Sequence, residues 1–202
     1  MDLSPADAIK KYNLPLTTKP IEPKELEEAS YILIRHGLSD FNYAALVAKE
    51  QFGVGSPEFR AVETNPNGED PELHPVGILQ CESHQDSINA VEWKTVFTSP
   101  MQRALMTTIH MFKNHPNKDN INFVVLPIAR EVLHTVCDIA IDPETLMDKF
   151  SLDKPICHGI KFDFSRMYLY GIPDLWQLYT LANVSKQKEV ISQLRKVSGD
   201  CI

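Results

Sequence analysis

Short apolar runs of β-type residues alternate along this chain with stretches of helical spacing, and the intervals between the runs are too long for hairpins. Residues 31–34, 96–98 and 123–126 read as buried strands. Helical spacing falls at 41–50, 75–89, 101–112, 174–181 and 185–196. Strands separated by crossovers of this length pair in parallel, through right-handed connections. The pattern predicts an α/β domain, three-layer α/β/α around a mostly parallel sheet, with a fourth strand starting at Cys201. At 202 residues and 43% apolar content the chain can bury one sizeable core, and no repeat or linker divides residues 30–202. Residues 1–29 are polar and broken by Pro5, Pro15, Pro20 and Pro23. They read as an N-terminal arm, either wrapped on the domain or free of it, with only a short helical turn after Pro23.

Chemistry is concentrated where the strand patterns end. The first run delivers Arg35 and His36, then Gly37, into a loop. A neutral imidazole beside a permanent guanidinium charge can attack a phosphorus whose oxygens the guanidinium holds, and Gly37 would let the backbone turn tightly after it. The plainer alternative is an Arg-His pair capping a strand. The second run breaks at Ser99-Pro100 into a helix whose first turn presents Arg103, where free amides and a guanidinium would suit a phosphate. A Pro-initiated helix with a solvated Arg is the alternative there. The third run leads to Arg130-Glu131, a surface ion pair or, if burial raises the carboxyl pKa, a general acid.

In this order the three segments resemble the histidine phosphatase superfamily, the phosphoglycerate mutase-like family. Leu73-His74-Pro75-Val76-Gly77 through Gln80 is similar to the family's Leu-Thr-x-x-Gly-x-x-Gln helix entry. Arg130-Glu131 with Cys137-Asp138, then 162–165 and Leu175-Trp176, is similar to a eukaryotic branch, although Ile139-Ala140-Ile141 stands where that branch usually carries basic residues. The resemblance implies a phosphohistidine on His36, phosphoryl binding by Arg35 and Arg103, support from Asn42 and proton donation by Glu131. It implies no metal, because arginines and imidazoles neutralise the charge. Leu38 occupies a position that is often acidic in the family.

Family members carry a second active-site His on a late strand between the nucleophile strand and the Ser-Pro strand. Here residues 186–195 lead through Gly199-Asp200 to Cys201-Ile202, where that strand is expected to begin, so the resemblance implies truncation and low activity. His158, before Gly159, copies the lettering, but 153–155 interrupt any preceding strand; His134 suits a pocket wall better.

The expected function is a phosphomonoester hydrolase or phosphomutase acting on a small phosphorylated metabolite. A non-catalytic phospho-ligand binding or scaffold protein on the same fold stays open. A net charge of −7 argues against nonspecific nucleic-acid binding and anionic membranes. Four widely separated cysteines and the lack of a long apolar run or secretory leader fit reduced thiols and a cytoplasmic protein, and a homodimer stays open. A loop-rich insertion over 52–70 reads as a surface excursion, and residues 142–174 as an apolar cap.

Overall fold

The computed structural model describes residues 3–16, 24, 29, 31–131 and 134–168. Three strands, β1 (Thr95–Thr98), β2 (Asn122–Val125) and β3 (Phe162–Asp163), form one parallel sheet in the order β1-β2-β3. Among the described residues there are seven α-helices: α1 (Pro5–Tyr12), α2 (Asp40–Phe52), α3 (Pro57–Glu63), α4 (Pro75–Glu82), α5 (Gln85–Asn89), α6 (Gln102–Phe112) and α7 (Pro143–Lys149). The parallel α/β class expected from the sequence is what the chain forms. The helices and strand expected beyond residue 168 lie outside the described residues.

Helix α6 is the centre of the domain. It crosses over from β1 to β2, and nine of its residues are buried, so it has no solvent-facing stripe. Helices α4 and α5 pack on it, as does β1. Phe112 meets Phe123 of β2 edge-on, with ring centroids 5.6 Å apart, and Phe123 in turn meets Phe162 of β3. These aromatic edges bind helix and sheet into one core.

Residues 31–34 are the main departure from expectation. They join no strand, and Tyr31 and Leu33 are 78% and 89% exposed. An apolar run becomes a strand only when a neighbouring backbone takes up its amides and carbonyls. Here residues 31–36 and β1 instead line a common cleft, and β1 is the sheet edge among the described residues. Smaller departures have local causes. The helix expected over 75–89 breaks after Glu82 into α4 and α5. The insertion contains α3, capped by Ser56 with Pro57 at its first position. The arm contains α1, for the same reason: Ser4 accepts from the Asp7 amide and Pro5 occupies a position whose N–H needs no partner. As the interruption at 153–155 led one to expect, no strand precedes His158: residues 155–157 form a 3₁₀ turn.

What replaces strand pairing around His36 is contact with α4 and α6. Gly37 does not adopt a left-handed backbone; its lack of a side chain serves close approach. A Cβ there would lie 2.7 Å from the Gly77 oxygen and 2.9 Å from Cys81 Sγ, and a Cβ at Gly77 would fall on the Leu38 carbonyl oxygen. The loop that carries His36 and α4 therefore touch backbone to backbone. Gly77→Ala should cost at least about 3 kcal/mol, the upper end for overpacking, because backbone and not a flexible side chain is in the way. Urea unfolding checks this, and a loss below about 1 kcal/mol would mean that the two segments separate easily.

Candidate active site

Arg35, His36, Ser99, Arg103, Thr107 and Glu131 line a single cleft of about 1150 Å³. The structure thus brings four of the five sequence-predicted residues together. Asn42 is not in the cleft lining: it lies in the first turn of α2, where its Oδ1 accepts from Ser39 Oγ at 2.6 Å, part of that helix's cap.

His36 is half-buried, and its Nδ1 lies 2.8 Å from the Gly37 carbonyl oxygen. A carbonyl only accepts, so Nδ1 carries the proton and Nε2 keeps its lone pair. Desolvation lowers the imidazole pKa below its ordinary value; the Gly37 bond opposes this, the charges of Arg103 and Arg35 add to it, and Glu131 opposes it. The ring is therefore neutral near pH 7, as a nucleophile must be. The loop behind it is fixed by two side chains: the Gly37 amide donates to Thr107 Oγ1 at 3.0 Å, and the Leu38 amide to Gln80 Oε1 at 3.0 Å. Thr107 Oγ1 donates onward to the Arg103 carbonyl at 2.7 Å, and the Gln80 amide nitrogen donates to the Pro15 carbonyl of the arm at 3.0 Å.

Arg103 is neither solvated nor free. It is 5% exposed, with one terminal nitrogen donating to the Cys137 carbonyl at 2.6 Å and the other to Asp138 Oδ1 at 2.9 Å. Removing one partner of such a buried pair usually costs about 3–5 kcal/mol, because the other charge is stranded. Arg35 is exposed at the cleft, and so is Glu131. Ser99 Oγ, in the same lining, is buried without a hydrogen-bond partner among the described residues. His134 and His158 are exposed and outside the lining; the His158 ring sits 6.3 Å from that of His110.

The α6 N-terminus differs from expectation. It has no side-chain cap of its own, yet the Gln102 amide is not available to an anion: the carboxylate of Asp70 accepts from it at 2.8 Å. Asp70 is wholly buried, with a left-handed backbone (φ 36°), and its other oxygen accepts from the Ile141 amide at 3.3 Å. Nothing in local spacing announces this cap from 32 residues upstream.

Burial pushes the Asp70 pKa up to about 6 from 3.8, against the pull of the two amides and of Arg103 and Arg130. The fold thus favours the protonated acid, and its contribution to stability is complete below pH 3.8 and lost as pH rises towards 6. Asp70→Asn, uncharged at every pH, should flatten the dependence of unfolding free energy on pH across that window. Denaturant titrations at pH 4, 5 and 6 check this, and an unaltered slope would show that Asp70 does not titrate there.

The described cysteines belong to the packing. Cys81, Cys137 and Cys157 are free and buried, and desolvation pushes Cys81 and Cys157 up to about 11 and raises Cys137, which disfavours the thiolate a redox sensor needs. No helix among the described residues is long and apolar enough to cross a membrane.

Comparison with curated proteins and with solved structures gives no match. The family model of the histidine phosphatase superfamily (branch 1) matches residues 31–132, half of the chain. That span holds the Arg-His-Gly triplet, the Gly77 helix, β1, α6 and Glu131, and with it a phosphatase- or mutase-type function is supported. The chain belongs to the histidine phosphatase superfamily.

Proposed function

We propose that the protein is a phosphomonoester hydrolase that acts through a phosphohistidine at His36 Nε2 on a small phosphorylated metabolite. The observation that carries this reading is the unprotonated Nε2: its ring is held by the Gly37 carbonyl, kept neutral by burial, and faces the charges of Arg103 and Arg35 in the cleft that Glu131 also lines. In the first step Nε2 attacks phosphorus, the ester P–O bond breaks, and the electron pair leaves on the alcohol oxygen, which takes a proton from Glu131. In the second step water attacks the phosphorus, the P–N bond returns its pair to Nε2, and the Glu131 carboxylate takes the water's proton. Hydrolysis is favoured over mutase chemistry because a mutase must keep water from the phosphoenzyme, and Arg35 and Glu131 are open to solvent.

Among the described residues lining the cleft, His36 is the one imidazole, so turnover by this chain is proposed to be slow. A cytoplasmic setting is part of the proposal and fits the free, buried thiols. The test is to incubate the chain with a ³²P-labelled aryl phosphate and quench. A base-stable, acid-labile protein label is expected, absent in His36→Ala. Label retained in that variant would move the nucleophile elsewhere; phosphate binding without any label would favour the non-catalytic binding protein, for which the buried Arg103 pair is the supporting feature.

A further inference from the structure

Arg103 is a joint between two loops. Its carbonyl accepts from Thr107 Oγ1, which in turn accepts from the Gly37 amide beside the nucleophile. Its guanidinium reaches the opposite way, to the turn at Val136–Asp138. There Asp138 divides its carboxylate: Oδ1 takes the guanidinium at 2.9 Å, and Oδ2 takes the backbone amides of His134 and Thr135, both at 3.1 Å. The Asp138 carbonyl also accepts from Arg130 at 2.6 Å. One buried residue thereby ties the phosphate-site arginine to the segment that begins at Glu131.

We propose that Asp138 is a positioning residue that aims Arg103 at the phosphoryl group and holds the Glu131 loop in register with it; this rests on the reading that the phosphoryl group docks at Arg103. A guanidinium has five N–H donors, and the contacts to Cys137 and Asp138 use one on each terminal nitrogen. The remaining donors can meet phosphoryl oxygens while the pair to Asp138 persists. An Asn at 138 has a single acceptor oxygen and cannot serve both the guanidinium and the two amides; its NH₂ would face donors. The loss of a nearby negative charge would by itself favour an anion, so the direction of the effect separates positioning from competition.

The experiment is a double-mutant cycle on inorganic phosphate affinity, by calorimetry, with Asp138→Asn, Arg103→Lys and the double variant. Asp138→Asn alone should weaken phosphate binding about 10-fold. In the Arg103→Lys background, where the planar fork is already lost, it should change binding less than about 2-fold. Equal losses in both backgrounds would mean a general structural role and overturn the proposal, and tighter binding would make Asp138 a competitor for Arg103 and overturn it too. A measurement on the unmutated chain covers the case in which Asp138→Asn does not fold. Slowly exchanging ¹⁵N guanidinium signals, assigned to Arg103 by their absence in Arg103→Lys, should persist on addition of phosphate; their collapse to free rotation would show Asp138 displaced and overturn the proposal. A label-forming enzyme with an additive cycle defeats only this inference. A non-additive cycle without label defeats only the hydrolase reading, and an unmutated chain that binds no phosphate defeats both.

Discussion

Replacing His36 with Asn should bring aryl-phosphate hydrolysis down to the buffer rate, a fall of at least roughly 10³-fold, with the thermal unfolding midpoint little changed. The side chain is half-buried and its hydrogen bond is to the carbonyl of its own neighbour, so its loss removes the proposed nucleophile without unpinning the loop. The Thr107 and Gln80 contacts that hold residues 37 and 38 use backbone amides and survive the change. The sign of the pH dependence is also set. Attack needs the neutral ring, and the imidazole pKa is lowered, so the acid limb of kcat/KM should fall below pH 6.5. A limb above that value, or residual turnover in the variant with its pH profile intact, would remove His36 from the reaction.

Glu131→Gln should separate substrates by leaving group. Gln keeps the size of the side chain but has no transferable proton, so turnover of alkyl phosphates should drop by about 100-fold. Aryl phosphates expel a weakly basic phenoxide and should lose less than about 5-fold. Glu131 is exposed at the cleft, so bulky alkyl leaving groups that cover it should show the larger effect. Steady-state kcat for matched alkyl and aryl pairs decides the point. Equal losses would leave Glu131 an orienting group.

The parts of this molecule that were legible in its sequence are those governed by local rules. Helix α6 announced itself by spacing and by the Ser-Pro break, β1 and β2 by runs of β-type residues, and α2 by helical spacing over 41–50. The cap-and-proline signature of α1 was equally present, in Ser4, Pro5 and Asp7, and the later prolines obscured it. What the sequence did not announce depends on partners far along the chain. Residues 31–34 have the composition of a strand, but composition does not say whether a neighbouring edge lies within hydrogen-bonding distance. Arg103 was legible as a cleft residue; its pairing with Asp138, 35 positions on, was not, nor was the capping of α6 by Asp70. Gly77 stood out as a motif glycine, whereas its reason, backbone contact with Leu38, needed the fold.

The Gln80 side chain has a consequence for how the protein is handled. Its two ends join the Leu38 amide to the Pro15 carbonyl, and nearby Ser83 Oγ donates to the Leu16 carbonyl, so residues 3–16 brace the loop that carries His36. Expression boundaries drawn after Leu16 would discard that brace together with the α1 packing on α4, leaving the His36 loop without a support that lies far from it in the sequence. A tag fused ahead of Ser4 lies at the start of the same lever, and activity comparisons between differently trimmed preparations would be comparisons between differently strung sites.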